Sequence, residues 1–397
     1  MAVLSLTAKW TVTDLASVPF FLFSFSPFRR IPGLATRGFI LFTGGLYMSY
    51  YLKSGYVDME RLIRMNYPFI FLLGGRGTGK TYGACKYLLE HPEQKFMYLR
   101  RIQQEADAIG NPEFSPFQPV INDHPELQPI TLATIPGVKN IRGIYHGVLN
   151  DAGVLTPEGD TIGYVGALNT ISSIRGFSGE QIELVLYDEF IPEKNARKIK
   201  AEGDAFLNCY ETINRNRELK GKPPLKIISM TNANKLASPI FVALGIMEQV
   251  DNMTRKGKES CFLEDRGIAL IKIRNSPISE KKAQTALYKA AASEDFRRMA
   301  LENDFDTSTY MYVHPEPLEE YRIIAQYEDI YIYRHKSKPY YYVCRHCSGR
   351  PKRVYHDELF SRKSMRRDLF LLFDAWLKGN ISFQDFYCKQ VLTDSLC

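Results

Sequence analysis

Several things that would classify this chain quickly are scarce in it. Its 397 residues hold two tryptophans and seven cysteines. The cysteines, at 85, 209, 261, 344, 347, 388 and 397, are odd in number and widely spread. That excludes a disulfide-stapled secreted scaffold and makes a reducing cytosol the default. No apolar run reaches the roughly 20 residues of a spanning helix. Leu15–Phe28 stops at Arg29 and Arg30, and Gly38–Leu52 is interrupted by glycine, serine and tyrosine. Internal repeats and low-complexity tracts are absent, which excludes solenoids and fibrous chains. The excess of one charge is small: 51 basic against 44 acidic residues gives +7.

What is present describes a globular protein of two or three domains, with 45% apolar and 13% aromatic residues. Residues 1–47 form an apolar extension in which Phe20, Phe21, Phe23, Phe25 and Phe28 crowd together. Three readings stand: an arm that docks on the body or a partner, a membrane-surface anchor, or an upstream extension with Met48 as the natural start. From 48 to 250 short apolar strands alternate with helices. Strands are expected at Pro68–Leu73, Lys95–Leu99, Ile182–Tyr187 and Leu225–Met230, with helices at Thr81–Leu89 and 198–214 and a loop over 107–129. That pattern predicts a parallel sheet covered on both faces. Residues 251–260 read as a polar linker. Residues 261–397 read as a second, α+β domain with strands near 321–326, 330–334 and 340–344, a charged helix at 279–303 and helices near the end.

Four motifs carry chemistry. Gly74, Gly75, Arg76, Gly77, Thr78, Gly79, Lys80 and Thr81 match G-x-x-x-x-G-K-[ST], placed after a buried strand and before a helix. Such a loop cradles phosphates with backbone N–H groups, Lys80 reaching the outer phosphates and Thr81 ligating Mg²⁺. The run Ile182–Glu189 ends an apolar strand in two carboxylates: Asp188 to hold the metal and Glu189 to polarise water. Asn232 ends a further strand and either senses the outer phosphate or begins a turn. Arg215 and Arg217, in NRNRE, either serve a neighbouring subunit's site or form a solvated helix end.

Together GGRGTGKTY, FMYLRR, LVLYDEFIPEK, INRNRE and MTNANKLASPIF resemble the DNA-packaging ATPase, or encapsidation protein, of small tailed phages with protein-primed genomes, the Salasmaviridae and relatives. The resemblance covers most of residues 48–397. It implies an additional-strand P-loop NTPase core, with ATP and Mg²⁺, followed by a ribonuclease H-like domain without nuclease activity. It implies a motor translocating double-stranded DNA into a procapsid, as a pentameric ring on the portal protein, joined in some members by a packaging RNA. The implied location is the host cytoplasm, transiently at the portal vertex, and not the mature virion. Lys80, Thr81, Asp188 and Glu189 match the ATP site, and Arg215 the arginine given in trans. After Arg100-Arg101 this chain has Ile102-Gln103-Gln104 where the family often places a lysine. The rival readings are a membrane-associated assembly ATPase and a non-enzymatic P-loop scaffold binding RNA or portal.

Residues 334–367 carry 11 lysines and arginines against two acids. With tyrosines interleaved, Arg345, Arg350, Lys352, Arg353, Arg366 and Arg367 read as a nucleic-acid surface. The alternative is a merely solvated basic face. Cys344-x-x-Cys347 lacks the second ligand pair of a structural zinc site. Few acids lie near the strand at 330–334, so a two-metal nuclease is not expected.

Overall fold

The structure is a computed structural model describing residues 50–171, 179–191, 199–232, 237–273, 277, 281, 283–290 and 312–396. The apolar extension 1–47 lies outside the described residues, as does most of the expected helix at 279–303, of which Ala286–Ala290 is helical.

The first nine strands are β1 (Phe69–Gly74), β2 (Phe96–Arg100), β3 (Ile130–Thr134), β4 (Arg142–Leu149), β5 (Leu155–Ala167), β6 (Leu184–Asp188), β7 (Lys226–Thr231), β8 (Ser260–Leu263) and β9 (Ile268–Ile273). They form one sheet in the order β3-β4-β5-β2-β6-β7-β1-β9-β8. From β5 to β9 every pairing is parallel; β3, β4 and β8 add antiparallel edges. Continuous apolar runs such as Phe69–Leu73 suit strands covered on both faces. Alternate residues serve opposite layers: Phe71 and Leu73 pack with Phe190, Phe206 and Phe241, while Ile70 and Leu72 pack with Leu62, Ala84 and Leu88. The four expected central strands are thus β1, β2, β6 and β7. The expected loop 107–129 differs: it holds the helix Gln118–Asp123 and follows the helix Gln103–Ala108. Phe117, fully buried against Phe96 and Tyr98, pins it down despite its proline-rich composition.

The expected linker at 251–260 is not one. The helix Met247–Arg255 covers half of it and buries Met247, Val250 and Met253. Residues beyond it return to the first sheet, β9 lying directly beside β1 with Leu73 opposite Lys272. The boundary drawn at 261 therefore falls inside the nine-stranded sheet. Polarity misled because an amphipathic helix with one apolar stripe has a polar average.

The second sheet contains β10 (Tyr321–Tyr327), β11 (Ile330–His335), β12 (Tyr341–Cys344), β13 (Val354–Tyr355) and β14 (Ile381–Phe383), ordered β13-β10-β11-β12-β14. β10 to β12 form an antiparallel meander, β13 runs parallel beside β10, and β14 runs parallel to β12 at the other edge. Helices Leu359–Asp368, Phe370–Leu377 and Phe386–Leu396 complete this half. One apolar cluster runs from Phe71 and Met247 through to Tyr327, Phe383 and Leu392, so the halves share a core.

Their junction carries two carboxylates on one helix start. Asp251 accepts a hydrogen bond from Phe386 N (3.2 Å), and Asp385 accepts from Cys388 N (2.9 Å) and Arg345 (2.9 Å). Burial, then the charge of Asp385, pushes the Asp251 carboxyl up to about 7, against the opposing pull of Phe386 N, Arg255 and Arg345. The unfolded value is about 3.9. Between these limits the folded chain holds the extra proton, so stability falls as pH rises and the penalty is complete above the folded value. Asn at 251 keeps the acceptor and cannot ionise. Asp251→Asn should therefore melt higher than the parent at about pH 8, with the gap closing towards about pH 5. Thermal denaturation at both pH values checks this; a pH-independent gap would refute it.

Candidate nucleotide and nucleic-acid sites

β1 delivers the chain to Gly74, and the helix Lys80–Glu90 begins six residues on. Gly79, the residue before the helix, has φ +85°, a left-handed value that glycine takes without strain. Lys80 is 4% exposed. Its Nζ donates to Gly75 O (2.7 Å), Gly74 O (3.1 Å) and Thr78 Oγ1 (3.3 Å). The ammonium thus lies inside the loop, over the concavity in which phosphate oxygens are bound. Arg76 is exposed at the loop tip.

β7 separates β1 from β6, the additional-strand order that the family resemblance implies. Because Leu73 pairs with Thr231 and Met230 with Asp188, the three strand ends finish at one edge. Asn232 follows β7 at that edge, half-buried. Thr81 Oγ1 donates to Asp188 Oδ2 (3.2 Å), and Tyr98 OH donates to the same oxygen (2.7 Å). Burial and the Asp188 charge push the Tyr98 phenol well up, so it remains a donor. Thr81 and Asp188 are hard oxygen ligands of the kind Mg²⁺ takes beside phosphates, and their contact fits that use. Glu189 adopts φ +55°, a strained value for a residue with a side chain, and its carboxylate is 43% exposed.

Sequence reasoning missed Arg100. It ends β2, next to β6, and donates from NH2 to Glu189 Oε2 (2.8 Å) and from NH1 to Asp188 Oδ2 (3.2 Å), with Glu105 at 3.5 Å. Burial opposes its charge, but the carboxylates of Asp188, Glu189 and Glu105 outweigh that and hold it cationic. The available signal was positional: an arginine at a strand's C-terminal end in a parallel sheet points at the ligand edge. Arg101, one residue on, makes a buried two-bond pair with Glu202 (2.6 and 2.9 Å), the first residue of the helix Glu202–Asn214.

A family model for podovirus DNA encapsidation proteins (Gp16) matches residues 157–355, half of the sequence. The chain belongs to that family. The matched span includes Asp188, Glu189, Arg215 and Asn232, and the phosphate loop precedes it. Among solved structures, the bacteriophage Phi-29 viral genome packaging motor assembly is 18% identical and covers 86% of this chain and 98% of its own, with a TM-score of 0.54. The Phi-28 gp11 DNA packaging motor is 17% identical over 85% and 96%, TM-score 0.49. The N-terminal domain of the DNA packaging ATPase from bacteriophage phi29 is 22% identical over 56% and 97%, TM-score 0.40. None of the curated proteins matches.

In this encapsidation-family chain the six expected nucleic-acid residues divide. Arg350, Lys352, Arg353 and Arg367 are exposed, the last two sharing Asp368. Arg345 is instead engaged with Asp385, and Arg366 donates to Ser395 O (3.0 Å), so both also hold the fold. Cys344 and Cys347 donate to the carbonyls of His346 and Gly349. Among the described residues no group of three His, Cys, Asp or Glu side chains is placed to hold a metal. No described helix is long and apolar enough to cross a membrane.

The arginine pair also divides. Both lie where the helix Glu202–Asn214 ends, at the start of β6 and β7, so the structure does not bring them to the chain's own phosphate loop. Arg217 is 5% exposed and donates to the carbonyls of Glu180 (2.9 Å), Ile182 (2.9 Å) and Pro223 (3.2 Å). Arg215 is exposed, with φ +45°. Arg217→Ala removes the donor of one buried and two part-buried carbonyls and should cost about 2 kcal/mol or more, against under about 1 kcal/mol for Arg215→Ala. Denaturant titration of both variants checks this; equal losses would remove the distinction.

Proposed function

We propose that the chain is an ATP-hydrolysing motor that moves double-stranded viral DNA into a procapsid. The observation that carries this is the meeting of Lys80, Thr81, Asp188, Glu189 and Arg100 at one sheet edge, in a chain of the encapsidation family. On ATP binding, the loop N–H groups and the helix start take the phosphates, and Lys80 exchanges its carbonyl partners for phosphate oxygens. Thr81 and Asp188 would hold Mg²⁺, which supplies charge neutralisation at the phosphates. Glu189, once released by Arg100, accepts the proton of the attacking water as the bond from the γ-phosphorus to the β–γ bridging oxygen breaks. Asn232 orients that water or the γ-phosphate. Arg215 completes the site of the next copy in a homo-oligomeric ring, read as a pentamer.

The same reading makes the nine-stranded sheet the motor half and the second sheet the nucleic-acid half. Its partners are DNA, the portal protein and, where present, a packaging RNA. It would act in the host cytoplasm at the portal vertex. The structural likeness to the Phi-29 motor assembly supports the fold this reading needs.

Glu189→Gln should bind ATP normally and lose DNA-stimulated turnover, whereas Lys80→Ala should not bind. Mixing Glu189→Gln with Arg215→Ala subunits should restore part of the turnover, since one interface then regains an intact pair. Full turnover in Glu189→Gln alone would sink the catalytic assignment. No recovery in rings shown to co-assemble would sink the trans arginine.

Neutralising Arg350, Lys352 and Arg367 should flatten the salt dependence of duplex binding by roughly 0.9 in log–log slope per lost phosphate contact. Binding isotherms across salt concentrations measure it, and an unchanged slope reassigns this face to a protein partner.

A further inference from the structure

The segment before β1 has no role in the chemistry above, yet it is fixed firmly to the phosphate loop. Tyr51 and Val57 form an antiparallel bridge. Between them Leu52 N donates to Tyr56 O (2.8 Å) and Gly55 N to Leu52 O (2.9 Å), closing a tight turn. Val57 N then donates to Thr78 O (2.9 Å), inside the loop itself. Asp58 caps the helix Met59–Ile63, accepting from Arg61 N (3.0 Å). Met59 presses on Gly83 so closely that a Cβ there would meet its Cγ at 2.9 Å.

This turn carries the ring of Tyr56 onto Gly79, where a Cβ would lie 2.7 Å from Tyr56 Cδ1. Tyr56 nevertheless remains 44% exposed. A ring left that open still offers aromatic surface to a planar partner. Beside it stands Tyr82, half-buried, whose hydroxyl donates to Asp123 Oδ2 (2.9 Å).

The direction of the ligand follows from the sheet. The outer phosphate must face Asp188 and Glu189, which lie beyond β7 from β1. The base end must therefore leave on the opposite flank of β1, where β9 runs. The turn stands on that flank. Glu259, whose carbonyl accepts from Lys272 N on β9 (2.7 Å), adds to burial in pushing the Tyr51 phenol up.

We propose that Tyr56 stacks on the base of the bound nucleotide, making the turn at 51–57 the base-binding element of the site. This rests on the nucleotide-binding reading above and adds to it which side chain receives the base. Stacking tolerates any base, so it contributes affinity more than selectivity.

The test compares ATP with inorganic tripolyphosphate, which has the phosphates and no base, by calorimetry on the full chain. Tyr56→Ala should weaken ATP binding about tenfold and leave tripolyphosphate binding unchanged, while Tyr56→Phe keeps both. Unchanged ATP affinity in Tyr56→Ala overturns the proposal. So does a parallel loss of both ligands, which would make Tyr56 only a prop for Gly79. If the parent chain binds neither ligand, the nucleotide reading itself fails, and this proposal with it. Tyr56→Trp gives a second readout should the alanine variant not fold. Relative to the parent, its added fluorescence should change with ATP and not with tripolyphosphate; no change, or equal changes, overturns the proposal.

Discussion

The Asp188 carboxylate is the point on which the nucleotide edge depends. It accepts hydrogen bonds from Thr81 at the start of a helix and from Tyr98 and Arg100 on β2. Two separate elements are thereby referred to one anion, 4% exposed. In such surroundings an unpaired charge is costly, so the partners must stay close unless another cation replaces them. Arg100 couples this anion to its neighbour Glu189, and Arg101 beside it grips Glu202. Adjacent chain positions at the end of β2 thus hold both the carboxylate edge and the start of the helix that ends before Arg215. Glu189 and Arg215 are both held at positive φ, the conformational cost that gathers at parts whose geometry is over-determined by their surroundings.

Most of the central sheet was legible because a strand buried on both faces has a run of apolar residues as its signature. Phe69–Leu73 and Leu184–Tyr187 declare themselves in this way. The phosphate loop and the Asp188–Glu189 pair were legible because glycine, lysine and carboxylate at fixed spacing have few other uses together. Arg100 was not, since an arginine after an apolar strand has the same local appearance whether it faces solvent or a carboxylate pair. Only the placement of β2 beside β6 decides between them. Likewise, nothing local distinguishes Arg215 from Arg217. The distinction is made by the carbonyls of Glu180 and Ile182, more than thirty residues earlier.

The basic segment shows the same limit from the other side. Net charge counts Arg345 and Arg366 equally with Arg350 and Lys352. The fold divides them by whether a carboxylate or carbonyl already occupies the guanidinium. An electrostatic footprint read from sequence is therefore an upper bound on the number of phosphate contacts.

The return of β9 to the side of β1 also bears on how this protein can be divided. A fragment ending near residue 250 would keep the whole phosphate loop and both acids. It would nevertheless turn β1 from a central strand into a sheet edge, with Phe69–Gly74 stripped of its neighbour. A long, flat, apolar edge with unpaired N–H and C=O groups is a template for adding foreign strands. The loop's rigidity comes from the strand behind it, and that strand is flanked by a piece of chain lying well downstream of every motif it serves.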